Sequence, residues 1–232
     1  MEHPFTWVSV IPGLSAIPGH VATSLIVAAI IVVFTLLARR QLNAATDPAI
    51  PDDSLSLRNI AEVLVEGISG IAESTIGHHW RKYIHLYGSF FVFILFANLI
   101  GLVPGFAPPT ANFNVTFALG LISFFAYNFF AFKEQGLAYL KHFVGPLLLL
   151  APLMIPVEII SNAVRPLSLS VRLLGNMTGD HMTIEIFTGL TKVVIPVIFY
   201  FLGAFVCVLQ AFVFTLLSMV YVANVIGHGD HH

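Results

Sequence analysis

Long apolar runs alternate with short polar stretches along the whole chain. A helix needs about 20 mostly apolar residues to cross a bilayer, and five runs approach or exceed that length. They cover residues 21–38, 83–103, 115–132, 146–187 and 193–226. The pattern predicts an all-α polytopic membrane protein with five membrane segments.

The last two segments are longer than one membrane crossing requires. A helix of about 40 residues would measure roughly 60 Å, about twice the thickness of the hydrocarbon layer. Such a helix must tilt, kink or break, and Pro152, Pro156 and Pro166 offer places to bend. We expect the two segments to form a hairpin of long tilted helices.

Composition supports a lipid environment. Of the 232 residues, 57% are hydrophobic and only 9% are charged, whereas soluble domains have about 25% charged residues. So few ions cannot cover the outside of a soluble fold. These values exclude secreted disulfide scaffolds, nucleic-acid binders and disordered regulators. The net charge of −2 also argues against a nucleic-acid partner.

The distribution of Lys and Arg predicts the orientation, because these residues concentrate on the cytoplasmic side of membrane proteins. Seven of the ten lie in the connections 39–82 and 133–145. Lys192 lies in a turn on the other side, and Arg165 and Arg172 lie inside the fourth segment. We expect the N-terminus outside and the C-terminus in the cytoplasm.

These expectations divide the chain into seven parts. They are an outer N-terminal tail (1–20), the first membrane helix (21–38), a cytoplasmic-side linker with an amphipathic interfacial helix (39–82), a membrane hairpin (83–132), a cytoplasmic loop (133–145), the long tilted hairpin (146–226) and a tail (227–232).

The linker contains a predicted amphipathic helix of about 20 residues that begins at Asp53 and Ser54, which are suitable N-caps. Apolar residues repeat at helical spacing on one face, and three glutamates occupy another: Leu57, Leu64, Ile68 and Ile71, against Glu62, Glu66 and Glu73. Two interpretations are open. The helix lies at the membrane interface or against a neighbouring helix, or it is a docking surface for a partner subunit.

Ionisable residues inside the fourth segment are costly, since each one near the bilayer centre costs at least about 2.5–3.5 kcal/mol. They are Glu158, Arg165, Arg172, Asp180, His181 and Glu185. At 100° per residue, several polar or small residues share one side of the helix with Arg172: Glu158, Ser161, Arg165, Ser168, Asn176, Gly179 and Thr183. Lipid would not tolerate this stripe, so it must face protein or water.

The two arginines differ in their possible partners. Glu158 and Arg165, seven residues apart, could neutralise each other indirectly in a polar seam of the bundle. Arg172 has no acidic residue three or four positions away, and an arginine stays protonated even when desolvated. This permanent charge indicates an anionic partner on another chain or a mobile ligand.

The last segment supplies polar residues on a facing side. Gly203, Tyr221 and Asn224 lie within about 40° of Gln210 on the helical wheel. Gln210 is open to two interpretations. It forms an interhelical hydrogen bond worth about 1 kcal/mol, or it is placed to bond or crowd Arg172.

Four short runs resemble a known family. They are RPLSLSVRLLGNM at 165–177, LQAFVF at 209–214, NLIGLVP at 98–104 and NFNVT at 112–116. In these runs the sequence is similar to the a subunit (subunit 6) of F-type ATP synthases. The resemblance extends from about Tyr83 to Ile226 in the order and spacing of the family.

The resemblance implies a proton-translocating stator subunit beside a rotating ring of c subunits, each with a membrane carboxylate. Further implied partners are the b-subunit peripheral stalk, other ATP synthase subunits, the lipid bilayer and the translocated proton. The implied location is the bacterial plasma (inner) membrane. Two aqueous half-channels would end at the ring without meeting.

The resemblance also assigns residue roles. Arg172 matches the essential arginine of the family, and Gln210 its partner on the last helix. Asn176 and His181 match polar residues of the outer half-channel, and Tyr221 is a further candidate in the ion pathway. Glu158, Ser161 and Ser168 match the cytoplasmic half-channel.

A physical account fits these roles. A carboxylate in lipid is stable only when protonated, because desolvation disfavours the charged form. Beside Arg172, Coulomb attraction favours the ionised form, so a proton is released to one half-channel. Arg172 also repels protons that would cross directly between the half-channels. The chain contains no G-x-x-x-x-G-K-[ST] loop, so we expect no catalytic site of its own.

Two positions depart from the family pattern. Some members pair an acid with a histidine across the outer channel, but here the position facing His181 is expected to be Gly203. Asp180 and Glu185 are the alternatives for the acidic role. Where some members have an aspartate in the second span, this chain has Gly101.

Ten histidines invite a metal interpretation. They include His78, His79 and His85, and His228, His231 and His232 in the tail, but neither group has the spacing of a defined site. We predict no metal and no cofactor. A rival function is a secondary transporter or channel that binds an anionic substrate at Arg172, although no internal repeat marks a two-fold transporter.

Overall fold

The computed structural model describes residues 17–44, 56–136, 151–191 and 194–227, and within these ranges the chain is all-helical. The described α-helices are α1 (Gly19–Ala44), α2 (Leu57–Ile76), α3 (Ile84–Leu99), α4 (Phe113–Gln135), α5 (Ala151–Leu190) and α6 (Val194–Gly227). Short 3-10 helices cover Gly77–Lys82, Ile100–Leu102 and Pro109–Ala111. The predicted all-α class is confirmed.

Four of the described helices are long and apolar enough to cross a membrane. The candidate spans are Gly19–Asn43, Ile84–Leu102, Phe113–Gln135 and Ile195–Asn224. Helix α5, the predicted fourth segment, is not among them, since its polar stripe lowers its hydropathy. The five-segment arrangement therefore stays a prediction, while a multi-pass membrane protein is supported.

Helix α5 is continuous over 40 residues, although Pro156 and Pro166 lie inside it. A proline removes one backbone donor from a helix. Pro152 lies in the first turn, where that donor has no partner in any case. The Ser170 hydroxyl donates to the carbonyl oxygen of Pro166 at 2.6 Å. Of the three alternatives of tilt, kink and break, a break is not observed within residues 151–190, and residues 146–150 lie outside the described ranges.

Two predicted boundaries differ from the structure. Helix α1 continues past Arg39 and Arg40 to Ala44, because Arg, Gln and Leu are good helix formers even where the apolar run has ended. The N-cap of α2 is Ser56, whose hydroxyl oxygen accepts the backbone N–H of Asn59 at 3.2 Å. The predicted caps, residues 53 and 54, lie outside the described ranges.

Helix α2 packs on α1, α3 and α6 through its predicted apolar face. Ile68 is buried, and Leu64 and Ile71 lie against the core. The buried Arg58 pairs with Glu62 at 2.6 Å between Nε and Oε1. These contacts agree with the interpretation of a helix against its neighbours, while its place at a membrane interface stays a prediction.

The bundle around α5 and α6 is held by α3 and α4. Phe90 of α3 meets Phe214 of α6 edge to face, with ring centroids 5.9 Å apart. Helix α4 approaches α5 at Gly120, where an added Cβ would lie 2.7 Å from the carbonyl oxygen of Pro166. Only glycine allows this close approach. The hairpin of α5 and α6 therefore rests on a packed support.

Candidate functional site

Arg172 lies at the surface of α5. Its side chain is exposed, and within the described residues it forms no hydrogen bond, ion pair or ring contact. The following residue, Leu173, is fully buried in the core. The exposed neighbours of Arg172 on the helix are Val171, directly before it, and Ser168 and Asn176, one turn away on either side. The charge therefore lies among the exposed polar residues of the stripe.

Gln210 and Asn176 connect the two long helices beside Arg172. The Asn176 side chain donates from Nδ2 to Oε1 of Gln210 at 2.6 Å. Gln210 is buried, and its Nε2 has no hydrogen-bond partner in the described part of the chain. Of the two interpretations of Gln210, the interhelical hydrogen bond is the one observed, and its partner is Asn176.

Much of the predicted polar stripe lies at the surface of the chain. Ser161, Ser168, Asn176 and Gly179 are exposed together with Arg172. The remaining members, Glu158, Arg165 and Thr183, are half-buried. The stripe is thus placed where a neighbouring chain or water can reach it.

A cavity of about 260 Å³ lies between the 3-10 turn after α3 and the ends of α5 and α6. We call it the loop cavity. It is lined by Gly101, Val103, Pro104, Gly105, Phe106, Ala107, His181, Ile184, Glu185, Thr188 and Tyr200. His181 and Glu185 lie one helical turn apart in its lining, and Tyr200 is its third titratable side chain. The structure therefore brings these two predicted site residues together.

Asp180 occupies the space left by Gly203. A Cβ added at Gly203 would lie 2.8 Å from Oδ2 of Asp180, so the missing side chain leaves room for the carboxylate. Glu185 is exposed in the loop cavity instead. Gly203 was expected to face His181, and the structure places the neighbouring Asp180 against it.

The space beside Gly101 is occupied by the ring of Pro108. A Cβ added there would lie 2.7 Å from Cβ of Pro108, and Cγ and Cδ of the same ring are almost as close. Real Cβ atoms do not approach so closely. No acidic side chain fits at this position without moving Pro108, which explains why Gly101 can depart from the family pattern.

Arg165 lies in a second set of interacting side chains, separate from the Asn176–Gln210 pair. Its guanidinium carbon lies 5.7 Å from the ring centroid of Tyr127 and 5.2 Å from that of Tyr221. The Tyr127 hydroxyl donates to Oδ1 of Asn162, and Nδ2 of Asn162 donates to Oε1 of Glu158 at 3.5 Å. Glu158 and Arg165 are thus linked through Asn162 and Tyr127.

Sequence reasoning missed Tyr127, Asn162 and Tyr200. Asn162 follows Glu158 by four residues, a spacing that places both on one face of a helix and could have drawn attention to it. The two tyrosines had no local signal, because Tyr127 meets Arg165 and Asn162 of another helix and Tyr200 lines a cavity formed with other parts of the chain.

The described residues contain no group of three or more His, Cys, Asp or Glu side chains arranged to hold a metal ion. The predicted tail histidines, His228, His231 and His232, lie outside the described ranges, and the His78 side chain is likewise not described. Cys207 is a free, buried cysteine.

Comparison with known proteins decides the family. Residues 21–223 match the family model described as ATP synthase A chain. The chain belongs to the ATP synthase A chain family. The resemblance seen in the four sequence runs is confirmed.

Bacterial relatives match over most of their length. ATP synthase subunit a of Bdellovibrio bacteriovorus is 47% identical over 98% of this chain and 99% of its own length. A protein of the same name from Solibacter usitatus is 42% identical over 90% and 88%. ATP synthase subunit a 1 of Pelobacter propionicus is 41% identical over 87% and 85%.

Proton translocation is the general function of the ATP synthase A chain family. Its members are membrane components of the rotary ATP synthase, without a catalytic site of their own, and they work with other subunits of that enzyme. Together with four apolar helices of spanning length, the bacterial relatives support a multi-pass bacterial membrane protein.

Proposed function

We propose that this chain is the proton-translocating stator subunit of a rotary F-type ATP synthase, and that Arg172 couples ion flow to rotation of a c-subunit ring. One observation carries the proposal. Arg172 is exposed in the polar stripe of α5 and has no partner among the described residues. A permanent charge at membrane depth needs an anionic partner.

A membrane carboxylate on a ring subunit meets this need. In lipid the carboxylate is protonated, since desolvation disfavours its charged form. Next to Arg172 the ionised form is stabilised, and the proton leaves through one half-channel. Rotation then carries the ionised carboxylate past Arg172 to the other half-channel, where it takes up a proton before it returns to lipid.

The outer half-channel is proposed to begin at the loop cavity, with His181 and Glu185, and to continue past Asp180 to Asn176. Support comes from the lining of the cavity and from the room that Gly203 leaves for the Asp180 carboxylate. We choose Asp180 over Glu185 as the acid nearest Arg172, because Asp180 lies two helical turns from it, on a helix that rises about 1.5 Å per residue.

The cytoplasmic half-channel is proposed to pass Glu158, Ser161 and Ser168. Ser161 and Ser168 are exposed on the same helix as Arg172, and Glu158 is half-buried with a hydrogen bond from Asn162. Gln210 supports the site from α6 through Asn176. The two paths end on opposite sides of Arg172, whose charge blocks a direct passage of protons.

The proposed arrangement in the membrane follows the basic residues. The N-terminus lies outside and the C-terminus in the cytoplasm of a bacterial inner membrane, with α5 and α6 as a tilted hairpin along the c-ring. The b-subunit peripheral stalk is a further proposed partner. The seven-part division made from the sequence belongs to the same proposal.

An Arg172→Ala variant tests this function. ATP-driven proton pumping into inverted vesicles should be abolished, while the c-ring still copurifies with the chain. Arg81→Ala is the matched control, because Arg81 is an exposed arginine whose described contact is the ring of Trp80. Coupled pumping that survives in Arg172→Ala would contradict the proposal. Ion flux through the chain without a c-ring would instead favour a channel or secondary transporter.

A further inference from the structure

The two arginines of α5 stand on the same side of the helix but in different surroundings. They are seven residues apart, which corresponds to about two turns and a rise of roughly 10 Å. Arg172 is exposed and has no partner within the described residues, whereas Arg165 is half-buried over two aromatic rings. Sequence position alone does not explain this difference.

The rings come from the two neighbouring helices. Tyr127 of α4 is almost fully buried, and Tyr221 of α6 is half-buried, with 6.4 Å between the two ring centroids. The guanidinium of Arg165 lies 5.7 Å from one centroid and 5.2 Å from the other. A guanidinium over aromatic faces is attracted to them, more strongly where water is excluded. We call Arg165, Tyr127 and Tyr221 the tyrosine clamp.

A hydrogen bond fixes one side of the tyrosine clamp. The Tyr127 hydroxyl donates to Oδ1 of Asn162, a buried side chain on the same helix as Arg165. The ring of Tyr127 is therefore tied to α5 itself. Because α4, α5 and α6 each contribute one member, the position of Arg165 is set by the packing of all three helices.

The clamp matters because Arg165 would otherwise be a second free cation near Arg172. A carboxylate in the membrane is attracted to any exposed guanidinium, and the interaction is weakly screened there. A released Arg165 would hold the carboxylate on the side of the stripe where Glu158, Ser161 and Ser168 lie. That competition would delay the exchange of its proton.

We propose that Tyr127 and Tyr221 hold Arg165 away from the ring-facing surface, so that Arg172 is the arginine of α5 that a ring carboxylate meets. The inference rests on the proposed function, because it assumes a moving carboxylate. It makes Tyr221 a positioning residue that acts through Arg165. It also implies that pumping does not require the charge of Arg165, which matters only when it competes with Arg172 for the carboxylate.

The test is a set of four variants measured for ATP-driven proton pumping. Tyr221→Leu removes one ring and should lower pumping by about tenfold, since the lost cation–π contact releases Arg165. Tyr221→Phe is the matched comparison, because it keeps the ring, and it should lower pumping clearly less than Tyr221→Leu does. Arg165→Gln alone should also stay within about twofold, because it removes the competing charge.

The decisive variant is Tyr221→Leu combined with Arg165→Gln. The proposal expects recovery to within about twofold of wild type, because the second change removes the cation that the first change released. A purely structural role for the clamp predicts no recovery, since the double variant would lack both partners. Pumping as low as in Tyr221→Leu alone would overturn the inference.

Two further measurements separate the possible failures. Copurification of the c-ring shows whether each variant assembles. Tyr221→Met introduces a flexible side chain without a ring, and it should lower pumping as Tyr221→Leu does and recover with Arg165→Gln. Arg172→Ala is measured in the same vesicles. Proton pumping by Arg172→Ala would overturn the proposed function. If Arg172→Ala does not pump, and the double variant assembles but pumps no better than Tyr221→Leu, only the inference about the tyrosine clamp is overturned.

Discussion

The Asn176 side chain donates a 2.6 Å hydrogen bond to the buried side chain of Gln210, one helical turn along α5 from Arg172. The bond joins α5 to α6 beside the exposed arginine. Gln210 is buried, whereas Asn176 is exposed on the surface that contains Arg172. A buried amide on one helix thus orients an exposed amide on the other.

Variants of this pair should therefore be coupled. Asn176→Leu and Gln210→Met should each lower ATP-driven proton pumping, and the double variant should lose less than the product of the two effects. Interhelical hydrogen bonds in membranes average about 0.6 kcal/mol and reach about 1.7 kcal/mol. A coupling energy in this range is expected from the double-mutant cycle of the two single variants and the double variant. Independent, multiplying effects would contradict the role of the bond.

A suitable control combines Gln210→Met with Ser123→Ala. Ser123 of α4 hydrogen-bonds Ser218 of α6 at 2.9 Å and has no contact with Asn176 among the hydrogen bonds described. Distant sites without shared partners usually give additive effects. Coupling in this control pair as large as in the first pair would show that the cycle reports general loosening of the helices.

A stability prediction concerns the close approach of α4 and α5. Gly120→Ala places a methyl group 2.7 Å from the backbone oxygen of Pro166, which cannot move without shifting α5. Overpacking of this kind costs about 1–3 kcal/mol. The complex should unfold at a lower temperature in a thermal-shift assay in detergent.

The matched control for the helix crossing is Gly189→Ala. An added Cβ at Gly189 meets nothing within 4 Å, and alanine is the better helix former by about 1 kcal/mol. This variant should be neutral or slightly stabilised. Equal melting temperatures for Gly120→Ala and wild type would show that the helices separate more readily than their packing implies.

Much of the helix pattern could be predicted from the sequence. Runs of apolar residues predicted α1, α3, α4 and α6 within a few residues, because the length needed to cross lipid is a strong constraint. Helix ends were less predictable. Helix α1 continues to Ala44 beyond its apolar run, since helix propensity does not depend on hydrophobicity.

The candidate site was predictable only within a single helix. Helical spacing placed Arg172 and Asn176 on one side of α5, and the structure agrees. Partners on different helices could not be predicted, because they depend on packing between segments far apart in sequence. The bond from Asn176 to Gln210 and the contact of Arg165 with Tyr127 are of this kind.

A third prediction concerns Gly101 and Pro108. Gly101→Ala should lower the yield of assembled complex, because the new Cβ would meet three atoms of the Pro108 ring at 2.7–3.0 Å. Adding Pro108→Gly removes those atoms and should restore the yield. Gly88→Ala in α3, the helix that leads into the 3-10 turn with Gly101, is the control, since its Cβ meets nothing within 4 Å. A yield that the second substitution does not restore would count against this steric explanation.

The final prediction tests whether Gly203 acts through Asp180. Gly203→Ala places a Cβ 2.8 Å from Oδ2 of Asp180, and 3.1 Å from side-chain atoms of Ile184 and Leu102. The two apolar side chains can shift by a few tenths of an ångström, but the carboxylate must leave its place beside α6. Proton pumping should therefore fall while the c-ring still copurifies with the chain.

Asp180→Asn provides the background that distinguishes this cause from general overpacking. If Gly203→Ala acts by displacing the carboxylate, adding it to Asp180→Asn should lower pumping little further, because the affected group is already gone. Gly189→Ala, at an open position on the same helix and outside the polar stripe, should leave pumping unchanged. If Gly203→Ala lowers pumping by the same factor in both backgrounds, the glycine serves helix packing, and Asp180 does not depend on the space that Gly203 leaves.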